Sequence, residues 1–464
     1  MSDRSADSSR RIALDALLRI EDGAFAHILV PQALRSSRLS TRDRALVTDL
    51  VYGTVRMQRA LDVLLSAVSN RSIGSLDPPV RAAVRLGAYQ LLIGIPAHAA
   101  VGETVGAVDE RARGFVNGVL RALARRGPPF SLPDGEDVAA VAVRTSHPDW
   151  IVRLLFDAFG PADAIATLEL DNAAPPVTLR VNPMRTSTEE LTAELLGSGA
   201  DVAPGTLVPG ALLLRHAGDL AAVPAIADGR ATPQDQASQA IVAVLDPQPG
   251  ERVLDLASAP GGKATAAAER MRGEGLVVAA DLHAGRVRTV VRAAQRIGVQ
   301  QAVSTIVADG RHPPVRDGAF DRVLLDAPCS GLGVLRRRPD ARWRVQPTDV
   351  RDLAALQRIL LASAAAAVKP GGRLVYAVCT LSNDETVDVD AWAQAELPEL
   401  AAEPPPPSPW RPYGRGAILL PSDAHTDGMF VLSLTRRSPS NAGHPDSPAS
   451  ASAPTGGRRW SAVT

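Results

Sequence analysis

Hydrophobic residues in the first quarter of the chain recur with the period of α-helices. Leu61, Leu64, Leu65 and Val68 occupy positions i, i+3, i+4 and i+7, and DRALVTDLVYGTVR repeats that spacing. Glycine and proline residues separate these segments, and ARRGPPFSLPDGED has the composition of a linker. The pattern therefore predicts an all-helical domain at the start of the chain.

The pattern then changes twice. A middle stretch mixes helix-like segments with short strand-like ones, VTLRVN and ALLLRH. After it, five short apolar runs alternate with helical segments: ERVLDLA, GLVVAAD, STIVAD, DRVLLDAP and GRLVYAVCT. This alternation is typical of βαβ units, in which a parallel sheet carries helices on both faces. AILLPS and GMFVLSLTR are predicted to close the sheet as antiparallel strands.

These changes divide the chain into segments. The fold class that we expect is α/β, with an all-helical N-terminal domain and a small α+β connecting module. The residues after Arg437 are too poor in apolar side chains to bury a core, so we expect them to be disordered. The predicted boundaries are a disordered N-terminus at 1–9, a helical domain at 10–128, a connecting module at 129–240, an α/β domain at 241–436 and a disordered tail at 437–464.

Composition excludes several protein classes. The 464 residues are 45% hydrophobic and 22% charged, close to the globular average and unlike a fibrous or fully disordered chain. No stretch approaches the ~20 uncharged apolar residues of a membrane span, and the N-terminus lacks an apolar signal core. The two cysteines are not in a Cys-x-x-Cys arrangement and the eight histidines are scattered. We expect a cytoplasmic monomer without a metal and without membrane contact.

Charge is unevenly distributed although the net charge is zero. Residues 1–130 contain 18 arginines against 12 acidic residues, which fits either a surface that faces a polyanion or ordinary solvated helices. The chain has only two lysines, Lys263 and Lys369, among 50 basic residues. An ammonium is a compact point charge that a guanidinium does not replace, so Lys263 is a candidate functional residue.

The strongest chemical signal is the segment VLDLASAPGGKATAAAERM, which begins at Val253. A strand that runs into a small, glycine-rich turn and then a helix is where an open α/β sheet binds its ligand. A P-loop requires glycine at position 257 and serine or threonine at 264, but both positions are alanine, and the dinucleotide Gly-x-Gly-x-x-Gly pattern is missing. The remaining interpretation is an adenosyl ligand without a pyrophosphate.

Aspartates and cysteines follow the strands of the predicted sheet. Asp255, Asp281 and Asp309 end the first three strands; Asp281 is placed to accept ribose hydroxyls and Asp309 to contact an adenine. Each could instead cap a helix or turn, but three in register favour a ligand. Cys329 and Cys379 follow the fourth and fifth strands. A lone cysteine is more often a small buried hydrophobe, whereas two at equivalent strand ends favour chemistry.

Four segments of the α/β domain resemble the Sun/NOL1/NOP2 family of RNA cytosine-5 methyltransferases: ASAPGGK, DAPCSGLG with its RRRPD continuation, the VCT segment and PQDQASQ. DRALVTDLVYGTVR, VRLGAYQLL, IPAHAAVGETV and GFVNGVLRAL resemble the NusB-like RNA-binding domain of that family's bacterial branch, and SHPDW and TLRVN continue the likeness. The chain departs from the family at Ala257-Ser258, where Cys-Ala is common, and at Val378-Cys379, where Thr-Cys is common.

The resemblance implies a class I, Rossmann-like methyltransferase domain that methylates small-subunit ribosomal RNA with S-adenosylmethionine. It implies four catalytic residues: Cys379 attacks carbon 6 of cytosine, Cys329 assists release, Asp326 contacts nitrogen 3, and Lys263 contacts the base or Asp326. The RRRPD arginines would suit phosphate contacts or a solvated loop. The residues implied to hold the cofactor are Ala257, Ser258, Ala259, Pro260, Gly261, Gly262, Lys263, Asp281, Asp309 and Asp326.

Two alternative functions remain at this point. One is an RNA-binding assembly or antitermination factor with a vestigial methyltransferase domain, against which the intact Cys379, Cys329, Asp326 and Lys263 argue. The other is a DNA cytosine-5 methyltransferase, in which Pro-Cys is the nucleophile motif. The basic helical domain and the lack of an evident DNA-reading motif favour RNA.

Overall fold

The computed structural model describes residues 8–215, 220 and 223–438. The helical domain forms as predicted, and its core includes the fully buried Leu50, Leu61, Leu86 and Leu120. Ser40 begins one of its helices because its hydroxyl accepts a hydrogen bond from the Asp43 N–H. The helices are Ser9–Glu21 (α1), Ala26–Arg35 (α2), Thr41–Arg56 (α3), Gln58–Ser66 (α4), Pro78–Leu92 (α5), Ala97–Gly106 (α6) and Glu110–Arg126 (α7), with a 3₁₀ turn at Ile73–Ser75.

The connecting module is a four-stranded antiparallel sheet with helices. Its strands are Val177–Val181 (β1), Asp201–Pro204 (β2), Ala211–Arg215 (β3) and Ala231–Pro233 (β4), in the order β2-β3-β1-β4. The predicted strands VTLRVN and ALLLRH are confirmed as β1 and β3. The helices are Val138–Arg144 (α8), Asp149–Leu170 (α9), which kinks at Gly160, Thr188–Gly197 (α10) and Pro224–Ala227 (α11).

The α/β domain contains the predicted alternation of strands and helices. Its strands are Arg252–Asp255 (β5), Leu276–Asp281 (β6), Val303–Val307 (β7), Phe320–Asp326 (β8), Val368–Val378 (β9), Leu400–Ala402 (β10), Arg411–Tyr413 (β11), Gly416–Leu419 (β12) and Met429–Arg436 (β13). Its helices are Gln236–Leu245 (α12), Gly262–Arg270 (α13), Ala284–Ile297 (α14), Ala341–Arg344 (α15), Pro347–Ala367 (α16), Val387–Glu396 (α17) and Pro421–Ala424 (α18).

The strand order explains where a ligand site forms. The sheet runs β11-β12-β13-β9-β8-β5-β6-β7, with β10 beside β13. Strands β5 to β9 are parallel, and β13 and β12 close the sheet antiparallel, as predicted. Leu254, Val323 and Val375 are fully buried because helices cover both faces. The chain order reverses between β5 and β8, and open α/β sheets bind ligands at such a switch point.

The segment after β8 joins the three parts of the molecule. Arg342 is fully buried and donates to the Asn172 side-chain oxygen at 2.9 Å and to the Ser146 carbonyl at 3.2 Å, both in the connecting module. Trp343 packs on the core of the helical domain and donates its indole N–H to the Val55 carbonyl at 2.8 Å. The loop that follows Cys329 is therefore anchored outside the α/β domain.

Only a few residues of the two predicted disordered ends are among the described residues. The predictions of disorder at 1–9 and 437–464 lie outside the described residues except at positions 8, 9, 437 and 438, and Ser9 already begins α1. Among the helices that the structure describes, none has the length and apolar character needed to cross a bilayer.

Candidate active site at the switch point of the sheet

The glycine-rich segment forms a tight loop between β5 and α13. Gly261 has φ +102°, and a Cβ at this position would lie 3.0 Å from the Val290 Cα atom of α14. Its carbonyl accepts the Thr265 hydroxyl at 2.7 Å, which fixes the start of the helix. Only glycine combines this backbone conformation with so close an approach, so the loop backbone is fixed at the carboxyl end of β5.

An arginine of the connecting module braces this loop from outside the α/β domain. Arg180 of β1 donates to the Gly262 carbonyl at 2.7 Å and to the Thr265 hydroxyl at 3.1 Å. Its guanidinium also forms two hydrogen bonds to Glu269 of α13, at 2.8 and 3.1 Å, and both side chains are buried. The planar fork of arginine suits this arrangement, because it binds a carboxylate and a carbonyl together.

Lys263 and Asp326 meet across the switch point. Lys263 lies in the first turn of α13, Asp326 ends β8, and the Lys263 Nζ atom is 2.6 Å from Asp326 Oδ2. Burial alone would lower the pKa of Lys263, but the Asp326 carboxylate outweighs burial and raises it. The lysine is therefore a charged donor that holds the Asp326 carboxylate at the carboxyl end of β8.

The two cysteines lie side by side next to this pair. Cys329 follows β8, Cys379 follows β9, and their sulfur atoms are 3.4 Å apart, with both residues half-buried. The Gly333 N–H donates to the Cys379 carbonyl at 3.0 Å, and a Cβ on Gly333 would lie 2.2 Å from the Gly428 carbonyl oxygen. The close packing of these loops holds the two thiols in contact.

The charges around the two sulfur atoms differ. The hydrogen bond from Cys329 lowers the pKa of Cys379, and the positive charges of Lys263 and Arg338 act in the same direction. The bond to Cys379 and burial raise the pKa of Cys329 well above its ordinary value, and the Glu385 carboxylate adds to this rise. The arrangement therefore favours a thiolate on Cys379 and a proton on Cys329, which is what a nucleophile requires.

Known proteins match the chain along nearly its whole length. The family models that match are the 16S rRNA methyltransferase RsmB/F at residues 242–435, the NusB family at 7–125 and the ferredoxin-like domain of RsmF/B-like methyltransferases at 147–221. The probable ribosomal RNA small subunit methyltransferase B of Bacillus subtilis is 36% identical over 93% of this chain and 99% of its own. The chain belongs to the RsmB family of ribosomal RNA methyltransferases.

Two further relatives agree with this assignment. The ribosomal RNA small subunit methyltransferase B of Klebsiella pneumoniae is 35% identical and covers 92% of this chain and 98% of its own. The crystal structure of PH0851 superposes with a TM-score of 0.80 and 26% identity over 93% of this chain and 99% of its own. This RsmB-family chain is thus an S-adenosylmethionine-dependent methyltransferase with ribosomal RNA as substrate, a Rossmann-like fold and an N-terminal NusB-like domain.

The loop of this RsmB-family chain fits a polar cofactor. Both carboxylate oxygens of Asp255 and the hydroxyl of Ser258 are buried, and no side chain among the described residues forms a hydrogen bond with them. Burial raises the pKa of Asp255 to about 8, and the nearby Asp326 charge contributes. Buried polar atoms are normally satisfied, so these groups mark a place where a polar ligand completes the site.

The other two aspartates differ in their surroundings. Asp281 is buried at the end of β6 and accepts hydrogen bonds from the Ala259 N–H at 3.3 Å and the His283 N–H at 3.1 Å, so it borders the glycine-rich loop. Asp309 lies two residues beyond β7 and is partly exposed, and hydrogen bonds from Arg311 lower its pKa to about 2. A contact between Asp309 and an adenine stays a prediction, as does the role of Asp281.

The prediction that the RRRPD arginines face phosphates is wrong for two of the three. Arg336 is buried and donates to the carbonyls of Ala173 and Ala174, at 3.1 and 2.8 Å. Arg337 forms ion pairs with buried acidic residues of the PQDQ segment and of the loop before β13. Arg338 alone is exposed, and its charge acts on Cys379.

Sequence reasoning missed Glu385, which lies fully buried between the two cysteine loops. Its carboxylate accepts hydrogen bonds from Ser330, next to Cys329, and from Thr380, next to Cys379. The available signal was TLSNDET, an acidic residue in a segment rich in hydroxyls directly after the second cysteine.

Proposed function

We propose that this protein transfers a methyl group from S-adenosylmethionine to carbon 5 of a cytosine in small-subunit ribosomal RNA, through a covalent bond between Cys379 and the base. The observation that supports this most is the 3.4 Å contact between the Cys379 and Cys329 sulfurs beside the Lys263–Asp326 pair. A methyltransferase that acts on oxygen or an exocyclic nitrogen needs no pair of thiols.

The proposed reaction begins with attack on the base. Carbon 5 of cytosine is a poor nucleophile until the Cys379 thiolate bonds to carbon 6 and places electron density on it. Lys263 and Asp326 together present a proton donor and an acceptor, 2.6 Å apart, to the edge of the base that carries nitrogen 3. Protonation or hydrogen bonding there stabilises the negative charge that the attack creates.

Elimination completes the proposed reaction. After carbon 5 has taken the methyl group, its proton must leave, the electrons of that C–H bond restore the carbon 5–carbon 6 double bond, and Cys379 departs as a thiolate. Cys329 lies 3.4 Å from the departing sulfur and is assigned to this step as the base: its own proton goes to solvent, and its thiolate then accepts the carbon 5 proton. Cys379 in its bonded form no longer carries a negative charge, so the neighbour that most raises the pKa of Cys329 is neutralised during this stage.

S-adenosylmethionine supplies an electrophilic methyl group on a sulfonium centre. We assign its methionine part to the backbone of Ala257–Lys263, its ribose to Asp281 and its adenine to Asp309, with Asp326 closing the site. The buried oxygens of Asp255 and Ser258, which receive no hydrogen bond from a described side chain, support a polar ligand beside the glycine-rich loop. We further propose that the protein acts as a cytoplasmic monomer and that its NusB-like domain contacts RNA.

The test is to identify the methylated nucleoside. Purified protein is incubated with S-adenosylmethionine and small-subunit ribosomal RNA from a strain without this methyltransferase, and the digested RNA is separated by chromatography and mass spectrometry. The proposal predicts 5-methylcytidine, and none with the Cys379→Ala variant or with duplex DNA as substrate. A product that is N4-methylcytidine or a ribose-methylated nucleoside would contradict it.

A further inference from the structure

We propose that Glu385 is a positioning residue: its buried carboxylate connects the Cys329 loop to the Cys379 loop and makes the surroundings of the two thiols unequal. The inference rests on the proposed function, in which the two cysteines have different roles. Glu385 lies in the loop between β9 and α17 and is fully buried.

The carboxylate of Glu385 is the centre of a hydrogen-bond network. It accepts from the Ser330 N–H at 2.8 Å, the Thr380 hydroxyl at 2.9 Å, the Ser382 hydroxyl at 2.9 Å and the Gln357 amide at 3.0 Å, and the Ser330 hydroxyl also donates to it. All of these groups can donate, which is the environment of an ionised carboxylate. A buried charge needs several such partners to offset the loss of hydration.

The network acts on both cysteines through their neighbours in the chain. Ser330 directly follows Cys329 and Thr380 directly follows Cys379, so one carboxylate fixes the backbone beside each thiol. Gln357 of α16 also donates to the carbonyl of Pro328, the residue before Cys329, at 2.8 Å. The 3.4 Å separation of the sulfur atoms therefore depends on contacts that converge on Glu385.

The charge of Glu385 also contributes to the difference between the pKa values of the two thiols. Of the groups that face them, Asp326 raises the pKa of both, whereas the positive charges of Lys263 and Arg338 act on Cys379. Glu385 contributes to the raised pKa of Cys329, after the bond to Cys379 and burial. The buried phenol of Tyr376, which donates to the Glu385 carbonyl at 2.8 Å, adds no charge at neutral pH. Removing the Glu385 charge should therefore bring the two thiol pKa values closer together.

The experiment measures the alkylation of each cysteine by iodoacetamide as a function of pH, in the full-length protein without RNA, with the two peptides resolved by mass spectrometry. Wild-type protein should label Cys379 at lower pH than Cys329. In Glu385→Gln the pH interval between the labelling of the two cysteines should narrow, and labelling of Cys329 at neutral pH should rise several-fold, because a lower pKa increases its thiolate fraction. Asp390→Asn, which changes a buried carboxylate of α17 that binds Arg415 instead of the cysteine loops, should keep the wild-type labelling order.

Two further variants keep the inference testable if Glu385→Gln folds poorly. Glu385→Asp retains the charge but shortens the side chain, so it should keep the order of labelling while lowering kcat. Ser330→Ala removes one hydroxyl contact and should lower kcat with the KM for S-adenosylmethionine unchanged. Wild-type labelling and kcat in folded Glu385→Gln, or in both of these variants, would overturn the inference. Labelling requires no methyl transfer, so failure to form 5-methylcytidine would contradict the proposed function and leave this result standing.

Discussion

At the scale of single residues, Lys263 is the positive charge that lies between the Asp326 carboxylate and the Cys379 thiol. It is one of two lysines in the chain, pairs with Asp326 at 2.6 Å and lowers the pKa of Cys379. The other lysine, Lys369, is exposed at the start of β9 and pairs with Asp321 at the opposite edge of the sheet. The chain thus offers a matched pair of lysines, one in the site and one remote from it.

Replacing Lys263 should change both the rate and its pH dependence. Lys263→Met removes a proton donor and a positive charge, so we expect kcat to fall by roughly 10²–10⁴-fold, the usual contribution of a general acid. The fraction of Cys379 thiolate rises with pH, and without the lysine charge its pKa increases, so the remaining activity should need a higher pH. Steady-state methylation across pH 6 to 10 measures both effects. Lys369→Met should behave as wild type, and an unshifted profile in Lys263→Met would contradict the assignment.

Asp281 should affect cofactor affinity more than turnover. Loss of charge-assisted hydrogen bonds, each worth about 1.5–3 kcal/mol, predicts that Asp281→Ala raises the Kd for S-adenosylmethionine by at least tenfold in calorimetry. Asp309→Ala should have a smaller effect, because that carboxylate is partly exposed and already engages Arg311. If Asp281→Ala binds the cofactor as wild type does, Asp281 only supports the turns at Ala259 and His283.

At this scale the sequence was informative about the residues that end or directly follow a strand. Asp255, Asp326 and the two cysteines could be predicted, because parallel strands bring their carboxyl ends to one edge. Lys263 could be singled out because the chain has only one other lysine. Glu385 could not, since its partners come from three separate segments around residues 330, 357 and 380. Burial and hydrogen bonding between distant segments leave no periodic signal in the chain.

At the scale of elements, strand β1 and helix α13 show how the connecting module takes part in the site. Arg180 of β1 donates a hydrogen bond to the Gly262 carbonyl of the glycine-rich loop at 2.7 Å. Among the described contacts of the TLRVN side chains, this is the one that reaches the loop. The five parallel strands and the strands β1, β3, β12 and β13 were predicted correctly, because apolar runs mark them, whereas the short strands β2, β4, β10 and β11 were not predicted. The inward orientation of Arg336 and Arg337 was not predicted, because it depends on which neighbouring loops supply carbonyl and carboxylate groups to the two side chains.

A pair of variants distinguishes the effect of Arg180 on the glycine-rich loop from its effect on the stability of the folded protein. Arg180→Met leaves Glu269 buried without its cation, and breaking such a pair costs about 3–5 kcal/mol of folding free energy. Arg180→Met combined with Glu269→Met removes both charges and should recover much of the thermal stability. We expect the double variant to bind S-adenosylmethionine at least tenfold more weakly than wild type in calorimetry, because the Gly262 carbonyl has lost its donor. Wild-type affinity in the double variant would reduce Arg180 to a structural role.

At the scale of the whole molecule, the helical domain is joined to the loop that follows Cys329. Arg342 is packed against the connecting module and Trp343 against the helical domain, so a fragment without residues 1–130 would expose Trp343. The RNA contribution of this domain is therefore better tested by surface substitutions in the full chain. Arg121 and Arg125 are exposed on α7, and Arg272, after the end of α13, and Arg316, before β8, are exposed outside the helical domain.

Neutralising arginines on α7 should weaken RNA binding. Arg121→Gln with Arg125→Gln removes the positive charge that would bind up to two phosphates, so the slope of log affinity against log salt should become shallower by roughly 0.7–0.9 for each phosphate that is no longer neutralised. Cofactor affinity should not change. Arg272→Gln with Arg316→Gln should leave RNA affinity and its salt dependence near those of wild type, and equal behaviour of the two double variants would argue against RNA contact through α7.

In the proposed reaction, Cys379 attacks the base and Cys329 assists its release. The most direct test is whether each cysteine variant becomes covalently joined to RNA. Wild-type protein, Cys329→Ala and Cys379→Ala are incubated with S-adenosylmethionine and ribosomal RNA and resolved on denaturing gels. We expect Cys329→Ala to accumulate a covalent complex, because attack proceeds while elimination is slow, and Cys379→Ala to form none and to transfer no methyl group. A complex with Cys379→Ala and none with Cys329→Ala would contradict this assignment and exchange the two roles.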